Sequence, residues 1–222
     1  MNISELLQYV LIYGILIGST IIIFLGIKYV LNFEKKRLWT IFLPVGICYV
    51  LILVFLVNNF IISNILVLLT AILGGVIISK SFADNSLVPS LITFSLVSSI
   101  MDIFSFSGGL TALIIKDGGV LLHNLSISFP IESKIVAIIG IGDLFIIGVI
   151  FSVLIRLEYA NIESYLIPTS GLLVALFLGL IGRGIFAIPF MALTTISYVI
   201  IKTRLNKRNI IAIKGKSLVF NE

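Results

Sequence analysis

Residues Ile135 to Ser152 read IVAIIGIGDLFIIGVIFS, a run without charge except for Asp143. Insertion of a carboxylate at the centre of a membrane helix costs about 2.5 to 3.5 kcal/mol, so a chain that keeps one there has a use for it. One other acid is embedded in the same way: Asp102, in LITFSLVSSIMDIFSF. Everything else in the sequence is arranged around these two segments.

The chain has 222 residues, 59% of them hydrophobic and 11% charged, with a mean hydropathy of +1.25. Such values exclude a soluble domain and predict an all-α integral membrane protein built as a single transmembrane unit. The first apolar segment, Leu6 to Asn32, exceeds a signal-peptide core and lacks a small-residue cleavage pattern, so it is expected to be retained as a span. The one cysteine, Cys48, has no partner for a disulfide, and a small core residue is its expected role. A net charge of +5 raises nucleic acid as a partner. The basic residues cluster in loops beside apolar runs, however, which is the pattern of membrane topology, and no nucleic acid is expected.

At about 20 apolar residues per span, the sequence predicts about seven helices. They run roughly Leu6 to Asn32, Trp39 to Val57, Phe60 to Ser79, Leu87 to Phe106, Ile135 to Leu157, Tyr165 to Ile181 and Ile185 to Ile201. Glu34 to Arg37, Asn58-Asn59, Lys80 to Ser86, Glu158 to Ser164 and Gly182-Arg183-Gly184 break them. Residues 1–86 read as scaffold helices, 87–201 as a core holding both acids, and 202–222 as a basic tail anchoring the chain to anionic lipid. With the N-terminus outside, twelve of the fifteen Lys and Arg residues fall on the cytoplasmic side and only Lys116, Lys134 and Arg183 on the other. That asymmetry predicts N-out, C-in.

The connector between the two acid-bearing helices, Ser107 to Lys134, has alternating β-branched character around Asp117-Gly118-Gly119, the chemistry of a short β-hairpin. It is either a surface or re-entrant loop, or a lid or strand platform whose edge binds an extended peptide through main-chain hydrogen bonds.

Ten carboxylates occur in the chain, and eight of them lie in loops, at span ends or in the termini. Asp102 and Asp143 do not. From the predicted boundaries they stand about 6 and about 12 Å from the outer ends of their helices, and consecutive helices are usually neighbours. Two carboxylates close together in a low-dielectric site cannot both ionise, so they share a proton. The ionised member can then take a proton from water while the protonated one polarises a peptide carbonyl. Alternatively each acid lines a polar cavity or carries a cation or proton for transport. Gly140 and Gly142, just before Asp143, would let a backbone approach closely, although glycines at such spacing also serve plain helix packing.

Gly140-Ile141-Gly142-Asp143 is similar to the Gly-x-Gly-Asp motif of the intramembrane aspartyl proteases of the presenilin and signal peptide peptidase type. Asp102, in Met101-Asp102-Ile103-Phe104, resembles their first catalytic aspartate, with Met101 where that family usually has Tyr. Phe186-Ala187-Ile188-Pro189 occupies the place of their Pro-Ala-Leu-Pro motif, with Phe and Ile replacing the first Pro and the Leu. The likeness covers about Leu87 to Ile201, with the elements in the same order. Family members generally have nine spans, so two N-terminal ones would be missing here.

The resemblance implies hydrolysis of peptide bonds in transmembrane segments or remnant signal peptides, with Asp102 and Asp143 activating one water. Gly140, Gly142, Ala187, Ile188 and Pro189 would hold the substrate, and no cofactor is implied. The predicted orientation is similar to that of signal peptide peptidase. Transmembrane peptides and the lipid bilayer are the expected partners, and a homo-oligomer is allowed. Other readings of the same residues are a proton- or cation-coupled transporter, a prepilin-peptidase-like aspartyl protease and a pseudoprotease. The lone histidine, His123, has no acidic or thiol cluster at ligand spacing, so no metal is expected.

Overall fold

The computed structural model describes residues 3–55, 59–109, 119–131, 134–181 and 187–219. Uninterrupted apolar runs become helices wherever the backbone must satisfy its own hydrogen bonds in lipid. These are α1 (Ile3–Val30), α2 (Lys35–Val54), α3 (Phe60–Ser79) and α4 (Leu87–Gly108), the last entered through a single 3-10 turn at Asp84–Ser86. After a one-turn helix α5 (Val120–Asn124), strands β1 (Ser126–Ile131) and β2 (Lys134–Gly140) lead into α6 (Ile141–Arg156), α7 (Asn161–Ile181) and α8 (Ala187–Val219). Six helices among the described residues are long and apolar enough to cross a bilayer. The chain is a multi-pass helical membrane protein.

Helix α6, expected as a further span, differs from the rest. Its 16 residues reach about 24 Å, short of the roughly 30 Å hydrocarbon thickness. It is also the most enclosed element: Leu144 and every residue from Ile146 to Leu154 are buried, and α1, α3, α4, α7 and α8 all pack on it. Lipid supplies little hydrophobic drive for such packing, so close backbone approach has to. A Cβ on Gly75 would lie 2.7 Å from the carbonyl carbon of Gly148, and one on Gly148 would lie 2.7 Å from the carbonyl oxygen of Ala71. The seam between α3 and α6 therefore needs both glycines. Beside that seam Phe24, Phe151 and Tyr165 form an aromatic cluster joining α1, α6 and α7, with ring centroids 5.3 to 5.8 Å apart.

Hydrogen bonds divide the bundle into two ends. At one, Lys80 donates to the Phe33 carbonyl, Arg156 donates to the Ser79 and Phe82 carbonyls and to Asp84, and Lys202 pairs with Glu163. At the other, the connector is stapled to the end of α2 and the start of α3: Tyr49 donates to the Asn124 carbonyl at 2.9 Å and Ser63 to the Asn124 side chain at 2.7 Å. The long helices thus alternate in direction, with the basic side chains gathered at the first end.

Several expectations are corrected. Ile135 to Gly140 is strand rather than helix, because a short run of β-branched residues suits a hairpin as well as a span. Its partner is Ser126–Ile131 in antiparallel register, so the hairpin lies further along the connector than expected; positions 117 and 118, on which the expectation rested, are outside the described residues. Helix α7 begins at Asn161 rather than Tyr165, which places Pro168 inside it, and α8 runs on to Val219 through the segment read as a tail. Cys48 is exposed rather than in the core, since α2 packs through the stripe containing Leu38 and Tyr49. The break at 182–184 and Phe186 fall outside the described residues.

Candidate functional site

Asp102 sits on the inward face of α4. Leu87, Leu91 and Ser95 on the same stripe are buried, whereas Leu96, Val97, Ile100, Met101 and Phe104 are exposed toward lipid. Six residues separate Asp102 from the end of α4 at Gly108, about 9 Å. Asp143 is only two residues into α6, about 3 Å, so it lies nearer its helix end than the sequence suggested. Strand β2 takes the residues that would have buried it deeper.

At this position Asp143 has a local role. Gly140 is the N-cap of α6, and its N–H faces the Asp143 carboxylate, in the sense of the reciprocal arm of a capping box made by an acid at the third helical position. The N-terminal helix dipole favours the same charge. Capping alone would explain one acid here. It does not explain a second, and the Asp102 carboxyl is within coulombic reach of Asp143. Among the described residues, no basic side chain forms a salt bridge with either acid.

A third element completes the site. The N–H of Ile188, in the first turn of α8, faces the Asp102 carboxyl; it is one of the donors that every helix start leaves without an internal partner. Asp102 Oδ2 is buried with no partner of its own. Ala187 and Pro189 flank Ile188 in that turn, with Pro189 where a missing N–H costs nothing. Gly140 adjoins the carboxyl pair: a Cβ there would come 3.5 Å from Asp143 Oδ2. Gly142 is exposed, and a Cβ on it would meet nothing within 4 Å. The fold therefore brings Asp102, Asp143, Gly140 and Ile188 to one place, with Gly142 beside them facing open space.

The hairpin sets the position of α6. Ile141 donates to the Leu125 carbonyl at 2.9 Å, and Ser126 pairs with Gly140 across the strands. Asn64 grips the hairpin from α3: its amide donates to the Ser128 carbonyl at 2.8 Å and accepts from the Ser128 N–H at 2.9 Å, taking the place of a neighbouring strand. Sequence reasoning passed over Asn64. The signal was present, a lone amide in the apolar run FIISNILVLL, where an unpaired polar group is costly.

Fold and site together define a multi-pass helical membrane protein with two carboxyls at the meeting point of three helices. No protein-family model, curated protein or solved structure matches the chain. Among the described residues no group of three His, Cys, Asp or Glu side chains could hold a metal ion.

Proposed function

We propose that this chain is an intramembrane aspartyl protease resembling the presenilin and signal peptide peptidase type. The observation that carries the reading is the convergence of Asp102, Asp143 and the Ile188 N–H from three separate helices. In the proposed cycle the ionised carboxylate takes a proton from water as its oxygen bonds the scissile carbonyl carbon. The protonated partner gives its proton to the carbonyl oxygen. The resulting gem-diol collapses with C–N cleavage as the leaving nitrogen takes up a proton.

The substrate would be a membrane-spanning peptide unwound at the scissile bond. Strand β2 pairs only with β1 among the described residues, so its outer edge offers main-chain hydrogen bonds to such a peptide. Gly142 leaves room beside the carboxyls. The end carrying Lys80, Arg156 and Lys202 is taken as cytoplasmic, which gives N-out, C-in and puts the site toward the opposite face.

The test is cleavage of a single-span substrate by purified protein. Wild type should cut it and be blocked by an aspartyl transition-state analogue, while Asp102→Ala and Asp143→Ala should each abolish cutting. Cleavage surviving either substitution would sink the dyad. A second reading, a proton- or cation-coupled carrier, draws on the partnerless Asp102 Oδ2, which would suit a bound proton or ion. It predicts flux in proteoliposomes and no proteolysis.

A further inference from the structure

Hydroxyls in apolar helices usually bond a carbonyl three or four residues back along their own helix. Ser19, Ser79, Ser81, Ser99, Ser107, Ser170, Thr194 and Thr203 all do so. Thr70, Ser95, Thr169 and Thr195 do not: each hydroxyl is buried without a partner, and Ser95, Thr169 and Thr195 are 0%, 3% and 0% exposed. Burial of an unmet hydroxyl costs about 1 to 3 kcal/mol, and an intrahelical acceptor was available to each.

Two of these, Ser95 on α4 and Thr195 on α8, fall in one layer on facing helices. Helices α4 and α8 run antiparallel and pack together, with Asp102 level with the Ile188 N–H. Ser95 is seven residues before Asp102 and Thr195 seven after Ile188, so both stand about 10.5 Å further into the bundle on the same helix faces as those two residues. On α7, a Cβ at Gly171 would come 2.7 Å from the Met191 Cα, so Thr169, two residues away, lies on the face of α7 turned from α8 and belongs to a different part of the core.

We propose that Ser95 and Thr195 flank an internal site for ordered water, two helical turns below the carboxyl pair. Buried waters characteristically join two to four otherwise unmet polar groups, and two facing hydroxyls meet that number. The site stands on packing and not on the protease reading. If that reading also holds, it stores water on the protein side of a reaction that consumes it.

X-ray radiolysis of the full-length protein in micelles tests this, because hydroxyl radicals then arise from bound water where it sits. Met191 is fully buried one turn from Thr195 on the same face and serves as the sensor, read by mass spectrometry. Wild type should be oxidised at Met191. The Ser95→Ala, Thr195→Val double variant should lose that labelling, and Thr195→Ser, which keeps the hydroxyl, should retain it. An unlabelled Met191 in the wild type, or labelling unchanged in the double variant, overturns the site. Labelling that vanishes as sodium replaces an inert cation assigns the hydroxyls to an ion and also overturns it. The same measurement on Asp143→Asn separates the two proposals: labelling should persist there whether or not the dyad cleaves peptides.

Discussion

The backbone N–H of Ile188 faces the carboxyl of Asp102, so the start of the last helix turns a main-chain donor toward the acid of α4. A side-chain substitution leaves that donor in place, but proline removes it. The first turn of a helix tolerates proline, since its N–H groups have no internal partner. A hydrogen bond to a charged group is worth about 2 kcal/mol, which corresponds to roughly 30-fold in rate. Ile188→Pro is therefore expected to cut the turnover of a single-span substrate by about that factor, while Ile188→Val stays near wild type. Equal rates for the two variants would show that the donor plays no part.

Asn64 replaces a strand along the edge of β1 at Ser128. Asn64→Leu keeps the volume and strips both bonds, leaving a buried N–H and carbonyl unmet at a cost of about 2 kcal/mol. Amide exchange should accelerate selectively in 126–131 and 134–140, with α2 and α7 unaffected. Uniform acceleration would point to global destabilisation instead.

The seam between α3 and α6 has no room for a side chain at Gly148, where a Cβ would sit 2.7 Å from a main-chain oxygen. Because that neighbour is backbone, it cannot swing aside. Gly148→Val should cost about 1 to 3 kcal/mol, seen as a lower melting temperature in micelles. Gly142→Ala, which meets nothing within 4 Å, should melt like wild type.

Glu158 is a non-glycine residue with φ 58. It closes α6 with a Schellman arrangement: its N–H reaches the Ile155 carbonyl at 3.0 Å, and the Tyr159 N–H reaches that of Leu154 at 3.3 Å. A left-handed L-residue costs about 1 kcal/mol, so Glu158→Gly should stabilise the protein by somewhat less than that in denaturant titration, after the added freedom of the unfolded chain is deducted. Loss of stability would mean that the glutamate side chain holds the loop.

The long spans were legible in the sequence because lipid leaves a polar backbone few options, and Asp102 and Asp143 stood out for the same reason. Where the reading slipped, two structures fit one pattern. Ile135, Val136, Ile138 and Ile139 satisfy a buried strand as readily as a helix, so the start of α6 was placed six residues early. The polar start of α7, Asn161 to Ser164, looked like loop until tertiary contacts such as Glu163 with Lys202 gave it a place. The Ile188 donor was invisible for a different reason: main-chain groups are common to nearly every residue and leave no mark in a pattern of side chains.

Arg156 ends α6 by gripping two carbonyls and a carboxylate of the segment that joins α3 to α4. With its foot tied there and its flank locked into α3 by interdigitated glycines, this rod behaves as the stator of the molecule. Relative travel of the two acids then falls to α4, which packs chiefly on α8 rather than on α6. Gating, if substrate imposes it, is an excursion of that outer helix around a stationary post.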